Sequence, residues 1–254
     1  MAIQSVNRAI DILSLFTVSQ PRLGITEISN SLNLSKTTVH GLIKTLAQRG
    51  FLQQDPETRK YSLGFTIYEF GTRVSETLKI NQISYGHASR LAQKTGQTIR
   101  VAVWDLDTIL ITLNVSSDLQ NPYSQPSGIR VPAYCTALGK IILAHLPEKH
   151  LSRYLKKVEY AAHTKHTLTD TKLLLKELQT IKAKGYAEDR EERFLGISCV
   201  AAAIFDHTGL PFASLSISGN ETLLKAKNLS EMIHDMKLTA TEISRNFGYI
   251  PSAV

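Results

Sequence analysis

The 254-residue sequence predicts a mixed α/β (α+β) fold, with an N-terminal winged helix-turn-helix and a larger domain whose antiparallel sheet is flanked by helices. Three observations predict this class. Two short amphipathic helices within the first fifty residues are separated by a tight break, and a hairpin pattern follows them directly. Further along, β-branched strand pairs occur between segments of helical periodicity. No glycine-rich phosphate-binding motif accompanies those strands, so a doubly wound nucleotide-binding sheet is not expected.

Composition narrows the class of protein further. A hydrophobic content of 43% and a charged content of 20% are typical of globular proteins. No apolar run approaches the roughly 20 residues that a membrane helix needs, and the N-terminal MAIQSVNRAIDIL lacks the pattern of a signal peptide. Because the two cysteines are far apart, we expect a cytoplasmic protein without a disulfide framework. The net charge of +7 mildly favours a polyanionic partner.

Two helices are expected at the start of the chain. The first begins at Ser5 as its N-cap, carries Ile10 on its apolar face and ends before Pro21. The second spans 26–33, with Thr26 as its N-cap. A tight break then separates it from a third helix, which is the arrangement of a helix-turn-helix.

The third helix is the candidate DNA-recognition element. It runs from Lys36 to about Arg49, with Ser35 as its N-cap and Gly50 just past its end. Its apolar positions recur at helical spacing and predict one buried stripe, made of Val39, Leu42, Ile43 and Leu46. The opposite face is short or polar, so it can approach base edges and phosphates in the major groove. A small helical domain that binds protein is the alternative.

The segment FLQQDPETRKYSL (51–63) predicts the wing. It has the pattern of strand, turn and strand, with Asp55-Pro56-Glu57-Thr58 in the turn. Arg59 and Lys60 lie near the wing tip, where they can contact backbone phosphates. With the third helix, the wing gives the candidate DNA contacts: Ser35, Lys36, Thr37, Thr38, His40, Lys44, Arg59 and Lys60.

A single helix is expected to lead out of the wing, over LGFTIYEFGTRVSETLKI (63–80). Ile67, Phe70 and Val74 are spaced along one side of it, so it suits both a linker and a dimer contact. The predicted organisation is a winged helix-turn-helix at 1–62, a linker helix at 63–79 and a larger domain at 80–254.

The sequence of the larger domain predicts a sheet with helices on its faces. Residues 98–115 have the pattern of an antiparallel hairpin broken at Asp105-Leu106-Asp107, and 116–131 predicts a loop rich in Ser, Pro, Asn and Gly. The other expected elements are a helix ending near Gly96, helices within 132–147, 148–157 and 170–184, strands at 196–206 and 211–219, and a last helix at 222–247.

Five segments, in this order, make the chain similar to the IclR family of bacterial transcription regulators. They are SVNRAIDILSLF, LNLSKTTVHGLIKTL, YCTALGKIILA, GYAEDREE and GISCVAAAIFD…SLSISG, and together they extend over nearly the whole chain. The resemblance implies a winged helix followed, at 80–254, by an effector-binding and oligomerisation domain similar to the GAF fold.

The resemblance also implies partners. These are double-stranded operator DNA, a small carboxylate or aromatic effector, and further copies of the chain in a homodimer or a dimer of dimers. We therefore expect a transcription regulator, acting as a repressor, whose operator binding is modulated by the effector. Neither a cofactor nor a membrane partner is expected.

The resemblance assigns the effector site to the amides of Ala137 and Leu138 and to the side chains of Asp189, Cys199, Ser216 and Ser218. The residues themselves agree in two respects. Ser216 and Ser218 are two apart on a strand and share a face, and N–H groups at a helix start suit a carboxylate. Simpler interpretations remain open: Cys199 as a small core residue, the serines as partners of local backbone groups, and Asp189 as solvated surface within the charge run EDREER.

A thiol-dependent enzyme acting on a small acid is the competing hypothesis. Cys135 or Cys199 would be its nucleophile. No histidine or carboxylate lies at a spacing that would activate Cys135, so we predict no catalytic residue. His163 and His166 lack a nearby carboxylate or cysteine companion, so they are interpreted as loop histidines and no metal site is predicted.

One position departs from the family pattern. Recognition helices of the family commonly carry a basic residue where this chain has Gly41. Glycine within a helix costs roughly 1 kcal/mol relative to alanine, and it offers no side chain to a base or a phosphate. We therefore expect an operator that differs from typical family operators, or a larger contribution from the wing.

Overall fold

A computed structural model describes residues 2–116 and 127–250 of the chain. The chain divides into two compact units, the first ending at Thr77 and the second beginning at Leu78. The first unit holds a winged helix-turn-helix, and the second holds an antiparallel sheet flanked by helices. The predicted fold class is therefore confirmed.

The first unit consists of a helical core and a two-stranded wing. Its elements are α1 (Gln4–Ser14), α2 (Ile25–Leu32), α3 (Lys36–Gln48), β1 (Leu52–Gln54), β2 (Tyr61–Leu63) and α4 (Phe65–Thr77). The two strands are antiparallel and pair Leu52 with Leu63. The buried side chains that hold the unit together are Ile12, Phe16, Leu23, Ile28, Val39, Ile43, Leu52 and Tyr61.

Two predicted helix caps are wrong. The N-cap of α1 is Ile3 rather than Ser5, and the N-cap of α2 is Gly24 rather than Thr26. In α2 the Gly24 N–H donates to the Glu27 carboxylate over 2.6 Å, so a glutamate in the first turn satisfies the amide at the helix start. This contact places the helix start ahead of Thr26.

The buried face of α1 also differs from the prediction. Ile10 is 55% exposed, whereas Ile12 is fully buried. The core packs against the side of α1 that carries Ile12, together with Phe16, which lies just past the end of the helix. The stripe formed by Ile3, Val6 and Ile10 lies on the surface of the unit.

The predicted helix at 63–80 is two helices. α4 ends at Thr77, and Leu78, whose ψ of 106° is extended, is the N-cap of the next helix. Leu78 packs against the core of the second unit, which accounts for the break in the helix at this residue. None of the residues of α4 is buried.

The second unit is built on one antiparallel sheet. Its elements are α5 (Lys79–Thr95), β3 (Thr98–Asp105), β4 (Thr108–Val115), β5 (Arg130–Val131), α6 (Ala137–His145), α7 (Glu148–Lys157), α8 (Thr171–Lys184), β6 (Ala187–Arg190), β7 (Ile197–Phe205), β8 (Pro211–Asn220), a short 3-10 helix (Leu223–Lys225) and α9 (Leu229–Asn246). The described strands follow the order β5-β4-β3-β8-β7-β6.

Each face of the sheet is covered by helices. One face packs against α6, which in turn contacts α8, and the other packs against α5 and α9. Alternate residues of β7 show the division: Ala201 belongs to the core under α6, whereas Val200 and Ala202 belong to the core under α9. The sheet therefore has two apolar cores, one on each side.

Three expectations for this unit need correction. The strand β6 was not predicted, because EDREER lacks apolar alternation. Of the predicted loop at 116–131, residues 117–126 lie outside the described residues, while Arg130–Val131 pairs with β4 as the edge strand β5. The last helix begins at Leu229 instead of 222 because the short 3-10 helix precedes it.

Within the described ranges, no helix is long and apolar enough to span a bilayer.

Candidate ligand cavity and nucleic-acid interface

Two rows of side chains cross the sheet on the face that α6 covers. The strand register places Arg100, Ser216, Ala201 and Ala187 in one row, from β3 through β8 and β7 to β6. The next row, in the same order of strands, is Thr98, Ser218, Cys199 and Asp189. Polar and small groups thus form the floor of a space beneath α6.

That space is a narrow cavity between the sheet and the start of α6. Its lining includes all six residues of the predicted effector set: Ala137, Leu138, Asp189, Cys199, Ser216 and Ser218. Hydrophobic side chains from the surrounding elements complete the wall, among them Ile111, Val131 and Ile197.

The first turn of α6 forms the roof of the cavity. Thr136 is its N-cap: the Oγ1 accepts from the Gly139 N–H over 3.2 Å and donates to the Pro132 carbonyl over 2.9 Å. A Cβ at Gly139 would lie 2.3 Å from the Ala133 carbonyl oxygen, so only glycine permits this close packing. The positive end of the helix dipole, at Ala137 and Leu138, is thereby held against the cavity.

Asp189 is a buried carboxyl group in the cavity wall. It is 4% exposed, and its Oδ1 accepts from the Glu192 N–H over 2.8 Å. Burial, and next the charge of Glu192, raise the pKa of Asp189 to about 7. The interpretation of Asp189 as solvated surface is therefore wrong, because strand β6 carries this residue into the interior.

An ion network lies behind Asp189. The side chain of Lys140 is 0% exposed, and its Nζ donates to Glu192 over 2.5 Å and to Glu177 over 2.7 Å. Burial opposes the charge of Lys140, but the two carboxylates outweigh burial and raise its pKa. The network ties the second turn of α6 to α8 and to the segment after β6.

Neither thiol is activated. The Cys199 Sγ donates to the Ser218 Oγ over 3.2 Å, and burial raises the pKa of Cys199 to about 12. Burial likewise raises the pKa of Cys135 to about 12. A thiolate is the nucleophilic form of cysteine, and both groups stay protonated at neutral pH.

Sequence reasoning missed two arginines that line the cavity. Arg100 lies on β3, and Arg193 follows β6. The signal for Arg100 was a charged residue in the otherwise apolar strand pattern TIRVAVW. The Arg193 Nη1 lies 2.5 Å from the His163 Nδ1, and its guanidinium lies 5.0 Å from the centre of the Phe194 ring.

In the first unit, α3 presents an exposed polar face. Lys36, Thr37, His40 and Lys44 are exposed on it, opposite the buried Val39. Two other predicted contacts form the cap of the helix: the Ser35 Oγ accepts from the Thr38 N–H over 3.2 Å and lies 2.9 Å from the Thr38 Oγ1. The N-cap predicted at Ser35 is thus confirmed.

The wing places its basic residues beside α3. His40, Arg59 and Lys60 line one concave surface, and Arg59 is exposed in a left-handed conformation with a φ of 58°. The Lys60 Nζ lies 3.1 Å from the Glu27 carboxylate, which partly neutralises its charge. Arg59 is therefore the more available cation at the wing tip.

Among the residues the structure describes, no cluster of His, Cys, Asp and Glu has the arrangement of a metal site.

Comparison with protein families finds two matching models. The IclR helix-turn-helix domain matches residues 5–56, and the C-terminal domain of the bacterial transcriptional regulator IclR matches residues 72–245. Among characterised proteins, the HTH-type transcriptional regulator XynR of Escherichia coli is 34% identical over 247 residues, which cover 97% of this chain and 98% of that protein.

Solved structures of IclR proteins are also similar to this chain. The crystal structure of the Thermotoga maritima IclR has a TM-score of 0.75 and 32% identity, covering 98% of this chain and 100% of that chain. An IclR homologue from Microbacterium hydrocarbonoxydans, complexed with 4-hydroxybenzoate, has a TM-score of 0.80 and covers 96% of this chain and 99% of that chain. At 20% identity, the second likeness concerns the fold alone.

Proposed function

Because the chain belongs to the IclR family of bacterial transcription regulators, and is thus a DNA-binding regulator with an effector-binding domain, we propose that a small organic acid or aromatic compound binds beneath α6 and changes the affinity of α3 and the wing for operator DNA. Repression is the proposed direction of regulation. Operator DNA as the partner implies a cytoplasmic protein.

The convergence of six residues on one cavity carries this proposal. Ala137, Leu138, Asp189, Cys199, Ser216 and Ser218 come from four separate elements and line the same space. The helix start supplies partial positive charge and N–H groups for an anion. The serine hydroxyls and the Asp189 carboxyl group offer hydrogen bonds that fix its orientation.

Coupling between effector and operator provides the direct test. Coupling free energies in allosteric proteins are typically about 1–3 kcal/mol, which corresponds to a 5–150-fold change in affinity, and they are reciprocal. We expect an effector found by thermal-shift screening to bind with a different affinity when the operator is present, by the same factor that it changes operator binding. Equal effector affinity with and without operator would refute the proposal.

For the DNA interface, we assign phosphate contacts to Lys44 and Arg59 and base contacts to Thr37 and His40. All four are exposed in the structure. Lys44→Ala and Arg59→Ala should each lower the slope of log affinity against log salt by about one unit. Lys172→Ala, which removes an exposed charge from α8 in the second unit, is the matched control. Unchanged slopes in both test variants would show that the DNA face is misplaced.

A homodimer or a dimer of dimers is the proposed assembly. The stripe of Ile3, Val6 and Ile10 on α1 is exposed, and α4 exposes Phe65 and Tyr68. Exposed apolar side chains on one face of a helix favour an interface with another copy of the chain. Light scattering after gel filtration should give at least twice the mass of one chain, and Ile10→Glu should shift the protein towards the monomer.

A regulator without enzymatic activity is proposed over a thiol-dependent enzyme. The raised pKa values of Cys135 and Cys199, both about 12, support this choice. Iodoacetamide should therefore label the native protein slowly at neutral pH. Rapid stoichiometric labelling of either cysteine in the folded chain would favour the enzyme instead.

A further inference from the structure

The helix α7 carries more than half of the net charge of the second unit. Its ten residues include four lysines and arginines and one glutamate, which gives a net charge of +3. The rest of the second unit, from Leu78 to the end of the chain, has 17 basic and 15 acidic residues and adds only +2. Positive charge is therefore concentrated on one short helix of this unit.

The packing of α7 fixes which side of the helix faces outward. Tyr154 is 4% exposed and lies edge-on to Trp104 of β3, with the ring centres 5.7 Å apart. Leu151 and Leu155 pack against the same hydrophobic core. Because these contacts bury the apolar side of α7, the helix cannot turn about its axis, and its polar side is held on the surface.

The cations of α7 are aligned on that polar side. Lys149, Arg153 and Lys156 occupy positions i, i+4 and i+7, so they share one face of the helix over roughly 10 Å. Lys157 lies beside Arg153, and all four side chains are exposed. These four residues are named the α7 stripe.

The α7 stripe keeps its positive charge in the folded protein. Within the described residues, one carboxylate is in ion-pair distance of it: Asp107, in the turn between β3 and β4, lies 3.4 Å from the Arg153 Nη2 and 3.5 Å from the Lys157 Nζ. Exposed ion pairs of this kind are weak. One aspartate does not neutralise four cations, so the stripe remains open to a further anionic partner.

The chemistry of the α7 stripe fits a nucleic acid backbone better than a protein or a membrane. Protein interfaces depend on aromatic or apolar anchors, and lysine is depleted in them. Among the described residues, no large hydrophobic side chain is exposed on α7. A helix that binds within a membrane surface inserts its apolar face, whereas that of α7 is buried in the core. Rows of lysine and arginine are frequent partners of DNA phosphates.

We propose that the α7 stripe is a second DNA-binding surface, which contacts backbone phosphates of the DNA that α3 and the wing bind. This inference goes beyond the proposed function, in which the first unit makes the DNA contacts. Phosphate contacts carry no direct sequence information, but they raise the affinity and make it depend on salt.

The salt dependence of DNA binding by the full-length protein tests the proposal. Non-specific binding is almost wholly electrostatic, so a random duplex of about 60 base pairs serves as the probe. In Lys149→Gln/Arg153→Gln/Lys156→Gln the slope of log affinity against log salt should fall by about one to three units, since each phosphate contact contributes about 0.9. A slope equal to that of the wild type would overturn the proposal.

A matched variant separates a local contact from the loss of charge as such. Lys225→Gln/Lys227→Gln/Arg245→Gln also removes three exposed cations from the second unit, but none of them is on α7. Its slope should stay as in the wild type, and a fall equal to that of the α7 variant would overturn the proposal. The fluorescence of Trp104, which contacts α7 through Tyr154, reports whether each variant is folded.

Photo-crosslinking tests the contact without removing any charge. Both native cysteines are buried, so one added cysteine can carry an azidophenacyl group selectively. Ser152→Cys places this group beside the α7 stripe, and Ser230→Cys places it at an exposed position of α9 as the control. Illumination should crosslink the duplex to position 152 more than to position 230. Equal or absent crosslinking at position 152 would overturn the proposal and leave an acidic protein surface as the partner of the stripe.

The outcome is independent of the DNA interface in the first unit. If Arg59→Ala lowers the salt slope and the α7 variant does not, the inference is overturned and the proposed interface of α3 and the wing stands. If the α7 variant alone lowers the slope, the inference is supported and the proposed phosphate contact of Arg59 fails.

Discussion

Replacing Lys140 by methionine tests the buried ion network most directly. The Lys140 side chain is inaccessible to solvent and donates to Glu192 and Glu177. Methionine keeps most of the apolar chain of lysine, so Lys140→Met removes the charge with little change in packing. Glu177 is 36% exposed and can be hydrated by water, whereas Glu192, at 6%, cannot.

The expected loss of stability comes from Glu192, whose charge stays buried without a partner in Lys140→Met. Removing one partner of a buried ion pair costs about 3–5 kcal/mol because the remaining charge is uncompensated. Stabilities of folded domains are about 5–15 kcal/mol, so the loss is a large fraction of the total. In the double variant Lys140→Met/Glu192→Gln neither member of the buried pair is charged, and more than half of the lost stability should return.

The loss should also depend on pH, with a definite sign. Burial raises the pKa of Glu192 already in the wild type, and removal of Lys140 raises it further. A carboxyl group with a raised pKa in the folded state stabilises the fold below its unfolded pKa, and this stabilisation disappears as the pH rises through the folded pKa. Lys140→Met should therefore lose less stability at pH 5 than at pH 8.

Urea unfolding followed by tryptophan fluorescence measures this loss in the second unit. Trp104 is the single tryptophan of the sequence, lies on β3 and stacks edge-on against Tyr154 at 5.7 Å. Lys176→Met, a neighbouring exposed position on α8, is the matched control and should change stability by less than about 0.5 kcal/mol. A loss below about 1 kcal/mol in Lys140→Met, or an equal loss at both pH values, would refute the reasoning.

Two further predictions concern Asp189 and Gly41. Because burial raises the pKa of Asp189 to about 7, the wild type should lose stability as the pH rises from about 5 to 8, and Asp189→Asn should lose less in the same urea titrations. For Gly41, an added Cβ meets nothing within 4 Å and the position is exposed, so Gly41→Ala should stabilise the first unit by about 1 kcal/mol in calorimetric unfolding. A destabilised Gly41→Ala variant would show that the helix does not have the geometry described.

The sequence predicted most elements because their signals are local. Ser35 precedes an apolar stripe of helical period, and Asp55 begins a turn between two strands, so α3 and the wing follow from capping and turn chemistry alone. Strand β6 escaped prediction because its pairing with β7 stabilises it, whereas its own sequence, AEDR, has low strand propensity. Without that strand, the burial of Asp189 could not be inferred from its charged neighbours.

Arg100 was not predicted to line the cavity, for a related reason. Its strand was identified, but a charged residue in such a strand has meaning only once the facing element is known. The register that sets Arg100 beside Ser216 joins residues more than one hundred positions apart, and the helix that covers them, α6, is also distant from both in the sequence. Local patterns cannot supply them, and in this chain the family resemblance supplied the effector set but not Arg100.

The ion network and the cavity are parts of one arrangement, which links stability to ligand binding. Lys140 lies one turn after the amides of Ala137 and Leu138, and its partner Glu192 donates its own N–H to Asp189. The network thus fixes the roof of the cavity and its acidic wall with respect to each other before any ligand arrives. Preorganised sites avoid the entropic cost of ordering on binding. Lys140→Met should for this reason weaken effector binding even though Lys140 itself does not line the cavity. An unchanged effector affinity in the folded variant would show that the network stabilises the fold without contributing to ligand binding.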